Sequence, residues 1–253
     1  MKFEDLENKH VLITGASSGI GAATAELFAR QGCNIGIHYN SSPAGAEQTL
    51  KMVKKYSQGY FFKADLRNAE TFPVLIEQFV SKSGSLDILV NNAGGLIRRQ
   101  SIREAEDQYY DDIFYTNLKH IFGLSREALP HLIKSRGNII NIGSVAGHTG
   151  GAEGSGIYAA MKSAIATATI AMAREFAPHR IRVNSVLPGF IDTPFHDSVT
   201  NELQKQQFLE KTPLGRFGTA EDVAHTIVFL ASEAASFITG EYIAVNGGIH
   251  MRT

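Results

Sequence analysis

The sequence predicts an α/β domain with a doubly wound parallel sheet and helices on both faces. Three observations carry this. Short apolar, β-rich runs alternate with stretches of helical spacing along the whole chain. A glycine-rich turn, Gly15 to Gly21, joins the first such run to the first helix. No linker or change of composition divides the chain, so residues 1–253 read as one domain. Parallel neighbours require right-handed crossovers, and ligands of such sheets bind at the carboxyl ends of the strands.

The first strand is read at residues 10–14, HVLIT, followed by Gly15-Ala16-Ser17-Ser18-Gly19-Ile20-Gly21 and a helix stopping at Gly32. Such glycines let a backbone approach a pyrophosphate, and the helix start offers free N–H groups and a positive dipole end. A tight turn with no ligand is the plainer alternative. The second strand, residues 34–39, ends at Tyr39, Asn40 and Ser41, where the ribose of a dinucleotide would lie. An acid there would bind a 2′-hydroxyl and a base a 2′-phosphate. The segment has neither, and without a carboxylate to repel phosphate it favours NADP(H) over NAD(H). A helix over residues 45–56 and a strand over residues 60–63 follow. Asp65 and Leu66 stand at that strand's end, where Asp65 suits an adenine amino group or a helix cap equally.

An amphipathic helix is expected over residues 72–81, with Pro73 in its first turn. The fourth strand, residues 86–90, ends in Asn91, Asn92, Ala93 and Gly94, small enough to admit a cofactor. Residues 105–129 read as a long helix in which Asn117 is an exposed or capping amide. Residues 138–142 form the fifth strand and 181–186 the sixth, leading to Pro188, Gly189, Ile191 and Thr193. Thr193 suits a carboxamide or a simple turn. Residues 195–211 look polar and irregular, a mobile lid. A helix over 219–230 and a strand over 242–245 complete the pattern.

Chemistry concentrates in Ser144 to Lys162, SVAGHTGGAEGSGIYAAMK. Tyr158 and Lys162 are four residues apart and share a helix face. A free phenol has a pKa near ~10. A neighbouring ammonium favours phenolate, so Lys162 is expected to lower it. Ser144 could hold a substrate oxygen against the phenol. The set suits proton transfer at an alcohol or ketone oxygen and needs a hydride carrier. The following helix is small and apolar on most faces, which fits packing between subunits or an internal core.

Composition narrows the class. A net charge of −1 gives no reason to expect nucleic acid or membrane partners. Cys33 is the only cysteine, which excludes an internal disulfide and a thiolate metal cluster. No apolar run approaches the roughly 20 residues of a membrane span, and MKFEDLENKH is too polar for a secretory signal. A cytoplasmic protein is expected. Metal-binding H-E-x-x-H spacing is absent, and GSVAG is no nucleophile elbow.

TGASSGIG, NNAG, Asn117, Ser144, YAAMK and PG-x-I-x-T together resemble the short-chain dehydrogenase/reductase family, over about residues 9–248. The resemblance implies a Rossmann-like fold with a seven-stranded sheet, a nicotinamide cofactor and a homotetramer. It implies that Tyr158 is the acid–base and that Lys162 tunes it and binds the nicotinamide ribose. Ser144 then orients the carbonyl and Asn117 holds a relay water. Ser144 and Tyr158 are 14 residues apart, one more than is usual in that family, and the extra residue falls in the loop 148–151.

GGLIRR, GSVAGHTGG, IDTPFH and GRFGTAED resemble, more narrowly, the reductases of the alginate monomer 4-deoxy-L-erythro-5-hexoseulose uronate. Arg98 and Arg99 suit its carboxylate, or a solvated face. His148 and His196 suit its polar groups, or ordinary turns. An anionic small-molecule carbonyl is thus the expected substrate. Reduction of a 3-oxoacyl group on acyl-carrier protein, another sugar or polyol dehydrogenase, and a non-catalytic cofactor-binding regulator are the alternatives. The intact Ser144, Tyr158 and Lys162 argue against the regulator.

Overall fold

The computed structural model describes residues 2–197 and 199–251. After a single 3-10 turn come β1 (His10–Ile13), α1 (Gly19–Arg30), β2 (Asn34–Tyr39), α2 (Pro43–Val53), β3 (Gly59–Lys63) and α3 (Thr71–Ser83). The strand β4 (Ile88–Asn91) precedes α4 (Asp107–Phe114), which passes through a π-turn, Tyr115–Lys119, into α5 (His120–Ser135). Then follow β5 (Asn138–Ile142), the short α6 (Ala146–Thr149), α7 (Gly156–Phe176) and β6 (Arg182–Pro188). Last come α8 (Glu202–Glu210), α9 (Ala220–Ala231) and β7 (Tyr242–Val245).

All strand pairs are parallel, in the order β3-β2-β1-β4-β5-β6-β7. His10 pairs with Asn34, Val11 with Ile88, Ile88 with Asn138 and Asn138 with Arg182. This register aligns the strand starts and leaves the carboxyl ends on one edge. Every residue of β5 is buried, as a strand covered on both faces requires. The edge strand β7 has only four residues and is partly exposed, which limits unwanted strand addition.

Side-chain alternation divides the core. Val11 and Ile13 face α1, α2 and α9, packing with Phe28, Ala46 and Ile227. Leu12 faces α3, α5 and α7, packing with Phe79, Leu124 and Ile165. Each buried Val, Leu, Ile or Phe among them stabilises the fold by about 1.5–3 kcal/mol relative to exposure. A polar line crosses the second layer. Asn91 Nδ2 donates to Asn141 Oδ1 at 2.9 Å, and Asn141 Nδ2 donates to Thr169 Oγ1 at 3.0 Å.

Several expectations change. The helix predicted to stop at Leu129 continues through Pro130 to Ser135, because Pro130 lies on the exposed side, where water can replace the lost backbone bond. Residues 195–211 are not irregular. Pro194–His196 is a 3-10 turn, and Asn201 and Gln204 form a reciprocal capping box that starts α8. Ser198 lies outside the described residues. One helical stretch, Gly156–His179, is long and apolar enough to meet the composition of a membrane span, contrary to the sequence reading. Half of that window is buried in the protein, with Ile165, Met172 and Phe176 in the core. Its open face carries Ala160, Ser163, Thr167 and Ala171.

Candidate active site

The carboxyl ends of the strands open into one cleft of about 1360 Å³. Gly15, Ser17, Ser18, Gly19 and Ile20 form one wall. Gly15 has φ of +63°, and a Cβ there would lie 3.0 Å from Ala93 Cα. Asn92 locks this turn. Its Nδ2 donates to Thr14 O at 2.8 Å and to Gly15 O at 3.1 Å. Gly21 does not line the cleft. A Cβ on it would sit 2.4 Å from Gly15 O, so its bareness lets α1 start beneath the turn. Ser18 caps α1 without a side-chain bond, leaving first-turn amides facing the cleft. Thr193 covers Gly19 from the opposite wall, with its side chain 3.3 Å from where a Cβ on Gly19 would be.

At the far end the cleft is lined by Asn40, Ser41, Asp65 and Leu66. Tyr39 is not there. Its ring is buried against Phe61, edge to face at 6.0 Å. Asp65 is paired with Arg67, whose Nη2 lies 2.7 Å from Oδ2, and this hydrogen bond holds the carboxyl below the usual range. Arg67 also lines the cleft. Asn91, expected beside Ala93 and Gly94, is turned into the sheet's interior by strand alternation.

The middle of the cleft gathers Ser144, Tyr158 and Lys162. β5 delivers Ser144, whose Oγ accepts from Ala146 N at 3.1 Å. Lys162 Nζ donates to Ile142 O at 2.9 Å and lies 5.7 Å from the Tyr158 ring centre. Burial pushes the phenol up to about 12, with Ser144 opposing, and pushes the amine down to about 8. The expected lowering of the Tyr158 pKa by Lys162 is therefore not found: burial raises it, and the opposing contribution comes from Ser144.

Asn117 is completely buried, against the expectation of an exposed amide. The π-turn rotates it inward, where Nδ2 donates to Ile113 O at 3.0 Å and to Gly95 O at 2.9 Å. Its Oδ1 accepts from Gly95 N at 3.0 Å. It thus fixes the chain next to Gly94 rather than lining the cleft. A Cβ on Gly94 would lie 2.9 Å from Asn117 Oδ1 and 3.0 Å from Lys162 Nζ, so this space exists only for glycine. Gly189 approaches Asn246 closely in the same way, and Pro188 and Ile191 complete the wall.

The family model described as enoyl-(acyl carrier protein) reductase matches residues 15–250. The 3-oxoacyl-[acyl-carrier-protein] reductase FabG of Staphylococcus aureus is 40% identical over 245 residues, spanning 96% of this chain and 98% of that protein. The chain is a short-chain dehydrogenase/reductase. FabG of Thermotoga maritima is 38% identical over 252 residues, spanning 96% of this chain and 98% of its own. Among solved structures, NADH-dependent reductase A1-R′, responsible for alginate metabolism, superposes with TM-score 0.91 at 34% identity, covering 99% of this chain and all of its own. A short-chain dehydrogenase from Burkholderia cenocepacia in complex with NADP gives TM-score 0.91 at 28% identity, covering 97% and 99%.

The residues of this dehydrogenase/reductase fit a nicotinamide dinucleotide. The uncapped start of α1 suits its phosphates, and the bare surface at Gly94 beside Lys162 suits its ribose and ring. That group, when bound, supplies the hydride.

The four residues expected at the substrate divide evenly. Arg99 and His196 line the cleft of the reductase, whereas Arg98 and His148 do not. Arg98 lies over the Tyr109 ring at 4.7 Å and donates to Gln100 Oε1. His148 is exposed and stacked between Tyr242 and His250, 5.2 Å and 5.4 Å from their ring centres. Arg99 Nε donates to Val199 O at 2.6 Å and Nη1 to Glu153 O at 2.9 Å. His196 stacks on Phe190 at 3.8 Å, and its Nδ1 meets Thr200 Oγ1. Burial, helped by the charge of Arg99, lowers its pKa to about 4. Sequence reasoning saw Asn92 only as a small residue at a strand end, not as the lock on the glycine turn, and missed Arg67 and the aromatic cover of Phe190 and Phe195. The second asparagine of NNAG was the one available signal among them.

Proposed function

We propose that this protein is an NAD(P)-dependent carbonyl reductase acting on CH–OH/C=O pairs, with an acidic keto-sugar as substrate. The observation that carries it is the convergence of Ser144, Tyr158 and Lys162 on the glycine-turn cleft. A phenol held near 12 is protonated at neutral pH, the form needed to donate to a carbonyl oxygen during reduction. Ser144 orients that oxygen, and the Lys162 amine faces the phenol from one helical turn away. Asn117 acts by holding Gly95, and so keeps the floor beside Lys162 open.

The acidic substrate is supported by Arg99. Two of its nitrogens are fixed by carbonyls, while Nη2 has no hydrogen-bond partner among the described residues, and no carboxylate pairs with it there. A guanidinium fixed in this way suits a carboxylate. Likeness to the reductase responsible for alginate metabolism points the same way, and 4-deoxy-L-erythro-5-hexoseulose uronate is the candidate of this reading. The second reading, a 3-oxoacyl group on acyl-carrier protein, is favoured by the named activity of the FabG relatives.

NADP(H) is preferred over NAD(H) in this reading, since Asn40 and Ser41 bring no carboxylate to the ribose end and Arg67 stands near it. No metal takes part. The small residues on the open face of α7 support a homotetramer, and a cytoplasmic location without membrane or nucleic-acid partners completes the proposal. The test is turnover of keto-uronate, neutral ketone and acyl-carrier thioester, each with NADH and NADPH. Faster turnover of the thioester than of the uronate would reverse the substrate choice. No turnover of any carbonyl would remove the enzyme reading.

A further inference from the structure

His38 is 2% exposed, sits at the penultimate position of β2, and takes no part in the proton transfer described above. Its Nδ1 accepts from Gly15 N at 3.1 Å. Its Nε2 lies 3.1 Å from Ala64 O, the residue after β3. A carbonyl only accepts, so Nε2 carries the proton and Nδ1 is the bare acceptor. The backbone of the same residue holds the next step of the turn, because Ala16 N donates to His38 O at 2.9 Å. One residue therefore holds two successive amides of the glycine turn and ties them to the end of β3.

We infer that His38 is a positioning residue for the dinucleotide: in one fixed tautomer it sets the height of Gly15 and thereby the shape of the phosphate-binding turn. Gly15 has a positive φ and lies in contact range of Ala93, so a small shift of its amide would move both walls of the cleft. Asn92 grips the turn from the β4 side through Thr14 and Gly15, and among the described residues His38 supplies the side-chain grip from the β2 side. An asparagine at this position can place its Oδ1 where Nδ1 lies and reproduce the bond from Gly15 N. A leucine fills similar space and cannot reproduce it.

The inference rests on the reading of the cleft as a dinucleotide site, so the experiment has an arm that needs no cofactor. Amide hydrogen exchange of residues 14–20 is measured on the free wild type, His38→Leu and His38→Asn. NADPH and NADH affinities are then titrated by fluorescence, and KM for cofactor and kcat are measured. His38→Leu is expected to speed exchange in the turn and to weaken the cofactor tenfold or more, leaving kcat at saturating cofactor within threefold. His38→Asn is expected to restore exchange and affinity to within threefold of wild type. Unchanged exchange and affinity in His38→Leu overturns the inference. So does an asparagine variant that folds but binds cofactor as poorly as the leucine one. Should the leucine variant fail to fold, the asparagine variant decides alone: wild-type affinity supports the role and a tenfold loss overturns it. Faster exchange in His38→Leu, beside a wild type that binds neither nucleotide, supports the positioning of the turn and removes only the cofactor reading.

Discussion

The two ends of the cleft are built by different means. The glycine-turn end is held by groups belonging to strands or to the turn itself: Thr14, Asn92, His38 and the φ of Gly15. The substrate end is closed by side chains reaching between separate loops. Arg99 joins residues near 100, 153 and 199, and Phe190 stacks with His196, Phe208 and Phe217. The cofactor end has a floor of backbone groups locked by side chains at the strand ends. A substrate meets a cover made of replaceable side chains. Specificity can therefore change without disturbing the chemistry between the two.

The sharpest way to test that division is to remove the group at its centre. Tyr158→Phe should lower kcat by about 10²–10⁴-fold, the range of lost general acid–base catalysis, while NADPH binding by titration stays within threefold. Equal losses of binding and turnover would show that the centre and the floor are not separable. Gly94→Ala should instead act on the floor. Its Cβ would crowd Lys162 and Asn117, and cofactor affinity should fall at least tenfold, about 1.4 kcal/mol, without loss of folding by circular dichroism.

Arg99→Ala addresses the cover. KM for an acidic substrate should rise by roughly tenfold and KM for a neutral ketone far less, given a charge-assisted bond worth about 1.5–3 kcal/mol. Arg98→Ala, lying over Tyr109, should leave both values near wild type. Equal effects of Arg99→Ala on acidic and neutral substrates would remove the carboxylate role.

Acid should strain both ends together. His38, His120 and His196 are held neutral, with pKa values lowered by burial to about 4, 3 and 4. The unfolded chain binds these protons near the free value of about 6.5, so stability is full above that pH and declines as pH falls toward the folded values. The slope should reach about 1.4 kcal/mol per pH unit for each histidine, read by urea unfolding between pH 7 and 4. Replacing His38 by Asn should reduce that slope. The smallest effect is expected far from the cleft. Thr219 caps α9 by accepting from Asp222 N, and Thr219→Ala should cost about 1 kcal/mol, a fall in Tm of about 2–4 °C.

The same contrast explains what the sequence made legible. Strands rich in isoleucine and buried along nearly their whole length, such as residues 34–39 and 138–142, appear at their expected bounds. The convergence of the glycine turn, Ser144, Tyr158 and Lys162 on one cleft is legible because their placement depends on local spacing. Asn117 is misread from the residues alone, since a π-turn that rotates an amide inward has no periodic mark. Arg98 and Arg99 cannot be separated either. Which of two adjacent side chains enters the cleft is set by Val199 and Glu153, 100 and 54 residues away. Helix α8 is announced by Asn201 and Gln204, a pattern easily overlooked because the segment lacks an apolar stripe. The Tyr158 proton affinity is inverted for a different reason. Charge proximity is visible in spacing, while dehydration is visible only once the core has closed.

The polar line from the Asn91 and Asn141 amides to the Thr169 hydroxyl binds the history of these positions together. Replacing any one by a hydrocarbon strands the next in a dry interior, so a lineage can leave this arrangement only by exchanging several members at once. Relatives of this protein should accordingly either keep the trio whole or lack it whole.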